Sequence, residues 1–424
     1  MKKILRIIVA STLALIARAV VRRYRPSIVM VTGSVGKTST KDAVAAVLSA
    51  RFFVRKSDKN FNSEFGVPFT ILGVQSPWGN PFAWFSVAKS ALALLTLPNH
   101  YPNMLVLEVG ADRPGDLARI ACMATPDVVV VTRLPEIPVH VEAYASPDAV
   151  REEEFSPAYA LPAAAPLIVL ADDLYALDMA MRTSARIISY GCADSATARV
   201  CDAGFYEVEG GVAGMRANVN VEGEEGSLIV KGSVGMTQLL PAAAALAAAR
   251  AFLIPLPEAL HALESYDPPP GRGRLLAGKN GSVIIDDSYN ASPAATEEAL
   301  ATLKAFPHAK RRIAVLGDML ELGRYSVMEH ERIGALVRAS ADVLVAVGIR
   351  ARAFATSAGN MEVMVFDTAA AAAAALSDLV RAGDVILVKG SQSIRTERIV
   401  EALLANPADV ARLVRQEKAW KRKA

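Results

Sequence analysis

Uninterrupted apolar runs alternate along this chain with stretches of helical period. Ile28-Val-Met-Val-Thr32 has the length and β-branching of a strand buried on both faces, and Thr38 to Ala50 follows it with apolar positions at helical spacing. Met104-Leu-Val-Leu107, Val128-Val-Val-Val131 and Leu167-Ile-Val-Leu170 repeat the strand pattern, with helical stretches between them. Strands of this kind must be covered by helices on both faces, which predicts a parallel α/β sheet. From about Ile187 to Val230 the character changes to short β-like pieces rich in glycine and acidic residues, predicting a small antiparallel insert. Pro241 to Leu253 is almost all alanine and leucine and predicts a buried helix.

Tyr266-Asp-Pro-Pro-Pro-Gly271 marks a boundary, because a run of prolines neither continues a helix nor sits in a central strand. Beyond it the pattern restarts. Val283-Ile-Ile-Asp286, Ile313-Ala-Val-Leu316, Val343-Leu-Val-Ala-Val347, Val363-Met-Val-Phe366 and Val385-Ile-Leu-Val388 alternate with helices, and the Ala369 to Ala375 run reads as helix. The expectation is a helical segment over 1–26, an α/β domain over 27–266, and a Rossmann-like doubly wound domain over 271–424.

The segment from Ile4 to Val21 is apolar with basic flanks, near the lower limit for crossing a bilayer. On a helical wheel Arg6, Ala10, Ser11, Ala14, Ala17 and Arg18 gather on one side, and Leu5, Ile8, Val9, Leu13, Leu15, Ile16 and Val20 on the other. That pattern suits a helix lying in the membrane interface or docked on protein, with a true span as the alternative. Arg22 and Arg23 follow directly, so a cleaved signal peptide is not expected.

Composition narrows the function classes. With 52% hydrophobic, 21% charged and 6% aromatic residues the chain is globular, and a net charge of +3 over 424 residues argues against nucleic-acid binding. The basic C-terminal run (Lys418, Lys421, Arg422, Lys423) reads as a solvated tail. Cys122, Cys192 and Cys201 lack the spacing for a disulfide framework or a zinc knuckle, so a cytoplasmic setting fits, at the inner face of the membrane if the N-terminal helix attaches there. Nothing signals assembly, and a monomer is the expectation.

Gly33-Ser-Val-Gly-Lys-Thr38 lies between a strand and a helix, where backbone N–H groups and the positive helix end converge on an anion. Thr32, Gly33, Ser34, Val35, Gly36 and Ser39 would form the ATP phosphate cradle, Lys37 would bridge the β- and γ-phosphates, and Thr38 would place its hydroxyl on Mg²⁺. The usual G-x-x-x-x-G-K-[ST] spacing asks for glycine at 31, where Val31 stands.

The shorter form, T-G-x-x-G-K-T-[ST], resembles the loop of the Mur ligase family of ATP-dependent amide-forming enzymes. Asn60-Phe-Asn-Ser-Glu-Phe-Gly-Val-Pro68 and Leu107-Glu-Val-Gly-Ala111 are similar to two further blocks of that family. Asp286-Asp-Ser-Tyr-Asn-Ala-Ser-Pro293, Leu316-Gly-Asp-Met-Leu-Glu-Leu-Gly323 and Val388-Lys-Gly-Ser391 resemble its branch that adds D-alanyl-D-alanine to UDP-N-acetylmuramoyl-tripeptide in peptidoglycan precursor synthesis. The resemblance covers about residues 27 to 405. It implies that ATP phosphorylates an acceptor carboxylate and that an amine attacks the acyl phosphate, gathering negative charge that needs Mg²⁺ and fixed cations. It implies Thr38, Glu108 and His140 at the metal, with Lys37, Glu108 and His140 as the catalytic set. Arg272, Asp287 and Asn290 would reach the nucleotide from the second domain. Asn60, Asn62, Lys389, Ser391 and Arg395 would lie at the substrates, helped by Asp318 and Glu321. Glu136 and Glu142, near His140, are weaker metal candidates, since acidic loop residues are more often solvated.

The pattern also departs from the family. Glu154 stands where the family carries a carbamylated lysine, and would supply anionic oxygens to metal without CO₂. Gly235-Met-Thr-Gln238 replaces G-x-H-N, leaving Gln238 for adenine and Thr237 where the histidine stands, and Gln392 replaces a frequent arginine. Only 26 residues precede the domain that opens with the strand and the loop, where the family has a uridine-nucleotide domain. The expectation is that the UDP-sugar is held by the remaining domains, or that the acceptor differs. Set against the leading reading are a Mur-like ligase for another acid and amine, and an ATP-binding scaffold with weakened turnover.

Overall fold

The computed structural model describes residues 2–58, 61–78, 80–111 and 113–421, with the description of 2–4, 418 and 419 confined to backbone. Asn60, Arg422 and Lys423 lie outside the described residues.

The first sheet holds β1 (Ser27–Thr32), β2 (Val54–Lys56), β3 (Met104–Glu108), β4 (Val128–Val131), β5 (Pro166–Leu170), β6 (Arg186–Gly191), β7 (Ala198–Val208), β8 (Gly211–Val221) and β9 (Glu224–Lys231). Their order is β2-β3-β1-β4-β5-β6-β7-β8-β9, parallel as far as the short β6–β7 pairing and antiparallel from there to β9. β1 is central. Its Val29, Met30 and Val31 are buried on both faces, which accounts for the unbroken apolar run. The helices of this half are α1 (Lys2–Tyr24), α2 (Lys37–Leu48), α3 (Gly66–Leu72), α4 (Ala83–Thr96), α5 (Asp116–Met123), α6 (Pro147–Phe155), α7 (Leu174–Ala180), α8 (Met236–Ala251) and α9 (Leu256–Leu263).

Two expectations change here. Within 187–230 the expected antiparallel pairing holds for β7–β9, but β6 continues the parallel sheet beside β5, and the meander extends that sheet's edge instead of forming an insert. Buried and exposed residues alternate along β9 because one face packs under α9. The alanine helix starts at Met236, with Pro241 inside it, and Ala242 to Ala249 are buried against α2 and the sheet. Alanine leaves room for that close approach.

The N-terminal helix, for which a membrane span was the alternative, packs on protein. Among the described residues no helix is long and apolar enough to cross a membrane. One face of α1, carrying Leu13, Ala17 and Val20, is buried against α3, α4 and α5. The Arg23 guanidinium donates to the Leu95 and Leu97 carbonyls, and the Tyr24 hydroxyl to Leu94 at 2.9 Å. The docked stripe therefore cuts across the sequence-based wheel: Ala17, from its polar side, is buried, whereas Leu5, Ile8 and Leu15 are exposed.

The second sheet holds β10 (Arg274–Gly278), β11 (Ser282–Asp287), β12 (Arg311–Gly317), β13 (Val343–Val347), β14 (Glu362–Phe366) and β15 (Asp384–Lys389), in the order β10-β11-β15-β12-β13-β14. All neighbours are parallel except the β10–β11 edge pair. Its helices are α10 (Pro293–Ala305), α11 (Ser326–Val337), α12 (Arg352–Ser357), α13 (Ala369–Leu379), α14 (Glu397–Leu403) and the short α15 (Lys418–Lys421). In open α/β sheets ligands bind outside the carboxyl ends of the strands, where strand order reverses. Here the ends of β3, β1 and β4 meet those of β11, β15 and β12 across one cleft.

Candidate active site

The cleft is a cavity of about 640 Å³ lined by loops from both sheets. On the first wall, β1 runs into the loop 33–36 and then α2. Gly33 has φ +114°, and a Cβ added there would stand 2.4 Å from Thr132 Oγ1; Gly36 has φ +90° where the chain enters the helix. Both positions therefore demand glycine. Ser34, Gly36, Lys37 and Thr38 line the cavity, while Thr32 and Ser39 are buried beneath it. The Lys37 ammonium donates to the Gly33 carbonyl.

Glu108 ends β3 and is buried. Its Oε1 accepts from Thr38 Oγ1 at 3.1 Å, Lys41 Nζ lies 3.8 Å from Oε2, and Oε2 has no hydrogen-bond partner. Glu154, in the last turn of α6, is also buried, and its Oε2 accepts from Ser34 Oγ at 2.5 Å. Burial pushes the Glu154 carboxyl up, against the opposing pull of Lys37, the Ser34 bond, His140 and Arg151. His140, in the loop after β4 with φ 65°, places Nδ1 3.0 Å from Glu321 Oε2 of the second lobe. The hydrogen bond to His140 holds the Glu321 carboxyl below its ordinary range.

Arg272, Tyr289, Asn290, Ser391, Gln392, Arg395 and Trp420 form the second wall. The Arg272 guanidinium lies 4.1 Å from the Tyr289 ring centroid and has no carboxylate partner among the described residues. Ser391 also fixes its neighbour loop, its Oγ accepting from Leu320 N at 2.9 Å. Arg395 is more constrained: its Nε donates to Glu397 Oε1 at 2.5 Å and a terminal nitrogen to the Trp420 carbonyl at 3.0 Å.

Other sequence candidates lie behind or beside the cavity. Asn62 lines it, and its carbonyl accepts from Gly110 N at 3.0 Å. Lys389 does not line it; its buried ammonium donates to Asp287 Oδ2 at 2.6 Å and to the Asn290 carbonyl at 3.0 Å, tying β15 to the loop after β11. Gln238 is buried, its Nε2 donating to the Arg272 carbonyl at 2.8 Å and its Oε1 unpartnered. Val35 and Thr237 line a smaller hollow beside the phosphate loop, closed by the Arg133–Glu298 bridge of 2.8 Å between the lobes. Glu136 and Glu142 are exposed and Asp318 is a buried turn anchor whose Oδ1 accepts from Ala351 N at 2.7 Å, so none of the three reaches the cavity. Tyr289 and Trp420 were not singled out from the sequence. Tyr289 sits inside the Asp286–Pro293 block, a signal that was present; Trp420 is brought in by the chain end and had no local signal.

Among the described residues no three His, Cys, Asp or Glu side chains cluster closely enough to hold an ion alone. The site still suits Mg²⁺, because Mg²⁺ is ordinarily held by one or two carboxylates together with substrate phosphates, and Glu108 Oε2 is a buried carboxylate oxygen that accepts no hydrogen bond, beside the Thr38 hydroxyl.

An anion cradle on one lobe, faced by the Arg272 guanidinium on the other, suits an enzyme that activates a carboxylate with ATP. Residues 31–249 match the Mur ligase middle domain, and residues 271–392 match the Mur ligase family's glutamate ligase domain. The chain belongs to the Mur ligase family and is an ATP-dependent, amide-bond-forming ligase. It is 29% identical over 396 residues to the UDP-N-acetylmuramoyl-tripeptide–D-alanyl-D-alanine ligase of Synechocystis sp., covering 92% of this chain and 77% of that protein. The ligase of the same name from Escherichia coli is 27% identical over 392 residues, 91% of this chain and 79% of its own. The crystal structure of MurF ligase from Thermotoga maritima in complex with ADP superposes with a TM-score of 0.77 at 27% identity, over 93% of this chain and 83% of its own.

Proposed function

We propose that this ligase joins D-alanyl-D-alanine to UDP-N-acetylmuramoyl-tripeptide, using ATP and Mg²⁺ and passing through an acyl phosphate. The observation that carries the reading is the shared cavity, with Lys37, Thr38 and Glu108 on one wall and Arg272, Asn290, Ser391 and Arg395 on the other. The similarity to the Synechocystis and E. coli ligases supports the substrate pair.

A carboxylate is a poor electrophile until one of its oxygens is phosphorylated. The loop amides and Lys37 would hold the triphosphate, and Arg272 would meet the charge that develops on the transferred group. The acceptor carboxylate oxygen attacks the γ-phosphorus and ADP departs. The amine then attacks the acyl carbon, and phosphate leaves carrying that oxygen. Mg²⁺, held by Thr38 and Glu108 with Glu154 and His140 nearby, would neutralise phosphate charge. Ligands on both lobes make closure part of turnover.

Gln392, on the cavity wall, favours a second reading, a related acid–amine pair. Incubation with ATP, Mg²⁺, D-alanyl-D-alanine and UDP-muramoyl-tripeptide, analysed by mass, tests the first. The proposal expects UDP-muramoyl-pentapeptide. Amine-stimulated ADP release with a different acid, and none with this one, would move the assignment to the second.

A further inference from the structure

Two neighbouring helices present an apolar, cation-bordered face that the ligase reaction does not use. α1 and α4 lie side by side in the same direction. At their starts, Arg6 stacks on Phe65, which meets Trp78 edge-on, which in turn meets Trp84 of α4; at their ends, Arg23 and Tyr24 bond to the carbonyls of Leu94, Leu95 and Leu97. With Leu13, Ala17 and Val20 turned inward, the opposite side of α1 exposes Leu5, Ile8 and Leu15, the last at 69%. Beside it Phe82, Phe85 and Leu92 stand out at 79%, 75% and 63%. Phe85 and Leu92 share one helix face at i and i+7.

The charges that α1 and α4 themselves carry have one sign. From Met1 to Lys41, and again from Phe65 to Leu107, the sequence has no Asp or Glu. Arg18 and Arg22 of α1 and Lys89 of α4 are exposed, and the acid next to α1 that pairs with it is Glu64, 3.4 Å from Arg6. An apolar strip bordered by long cationic side chains is the composition of helices that lie in the plane of a bilayer surface, where the chains reach the headgroups and the apolar residues enter the acyl boundary.

We propose that the α1/α4 face binds the surface of an anionic lipid bilayer, with Leu5, Ile8, Leu15, Phe82, Phe85 and Leu92 inserted and Arg18, Arg22 and Lys89 at the headgroups. A second copy of the chain is the poorer occupant, because a two-fold contact through this patch would set its cations against themselves. A span is excluded as occupant of the bilayer core, since the inner face of α1 is already committed to protein.

The test is co-sedimentation of the full chain with vesicles of phosphatidylcholine alone and of phosphatidylcholine mixed with phosphatidylglycerol, at low and high salt. Two double variants accompany it, Phe85→Ser with Leu92→Ser and Arg18→Glu with Arg22→Glu. These side chains are remote from the cavity lining, so unchanged ATP turnover in vesicle-free buffer reports that each variant is folded. Wild type should pellet with the anionic vesicles, less so in salt, and each variant should bind roughly tenfold or more weakly. Wild type left in the supernatant, or both variants bound as tightly as wild type, overturns the proposal. A wild-type dimer that the Phe85→Ser, Leu92→Ser variant dissociates overturns it in favour of self-contact.

Discussion

The Thr38 hydroxyl donates to Glu108 Oε1 at 3.1 Å, while the other carboxylate oxygen of Glu108 is buried without a hydrogen-bond partner. Lys41 lies 3.8 Å from that oxygen, beyond hydrogen-bond reach, and a cation bound with the nucleotide would complete its coordination. Glu108→Gln keeps an acceptor for Thr38 and removes the charge. It should cut kcat by about 100-fold and abolish the extra thermal stability that Mg²⁺ adds to the ADP-bound protein. A variant with wild-type Mg²⁺ response would take Glu108 out of the metal site.

Glu154 brings a second carboxyl group to the phosphate loop, accepting from Ser34 Oγ. Glu154→Gln preserves an acceptor for that bond, so loss of Mg²⁺-dependent turnover in both Glu154→Gln and Glu154→Ala is the expected outcome. A carboxylate also needs no carbamylation, and wild-type activity should be the same in CO₂-depleted buffer as with added bicarbonate. Full activity of Glu154→Gln would leave this residue only a loop support.

At Gly33 the backbone conformation and the 2.4 Å approach to Thr132 Oγ1 both exclude a side chain. Gly33→Ala should lower stability by about 1–3 kcal/mol and weaken ATP binding more than it weakens the fold. Denaturant unfolding together with nucleotide titration separates the two effects.

Asp286 is buried, with Oδ1 accepting from Ser288 N and Oγ and Oδ2 unpartnered. Burial raises its carboxyl from 3.8 to about 6. The folded state therefore holds this proton more tightly than the unfolded chain. Its contribution to stability is complete below about pH 4 and is lost as pH rises through about 6, at most about 3 kcal/mol. Asp286→Asn should flatten that part of the profile in unfolding measured from pH 4 to 7. Superimposable profiles for the two proteins would contradict the assignment.

The buried strands were legible because Val29-Met-Val31 and Val128–Val131 are apolar on both faces, a pattern that local sequence carries by itself. The meander at β7–β9 was harder, since glycines and charges on its exposed face hide strands whose inner face is defined by α8, a later element. β10 went unseen for a related reason: Arg274, which opens it, is buried and bonded to Asp267, a partner read as part of a linker. The phosphate loop and Glu108 were legible as motifs. The bracing of Lys389 by Asp287 and the arrival of Trp420 depend on how the lobes and chain end fold back, which no local window contains.

Oxygen transfer tests the central claim most directly. With ¹⁸O in the acceptor carboxylate, turnover with ATP and D-alanyl-D-alanine should yield ADP and inorganic phosphate bearing one label for each amide formed. Amide formed with unlabelled phosphate would contradict activation through an acyl phosphate between these two lobes.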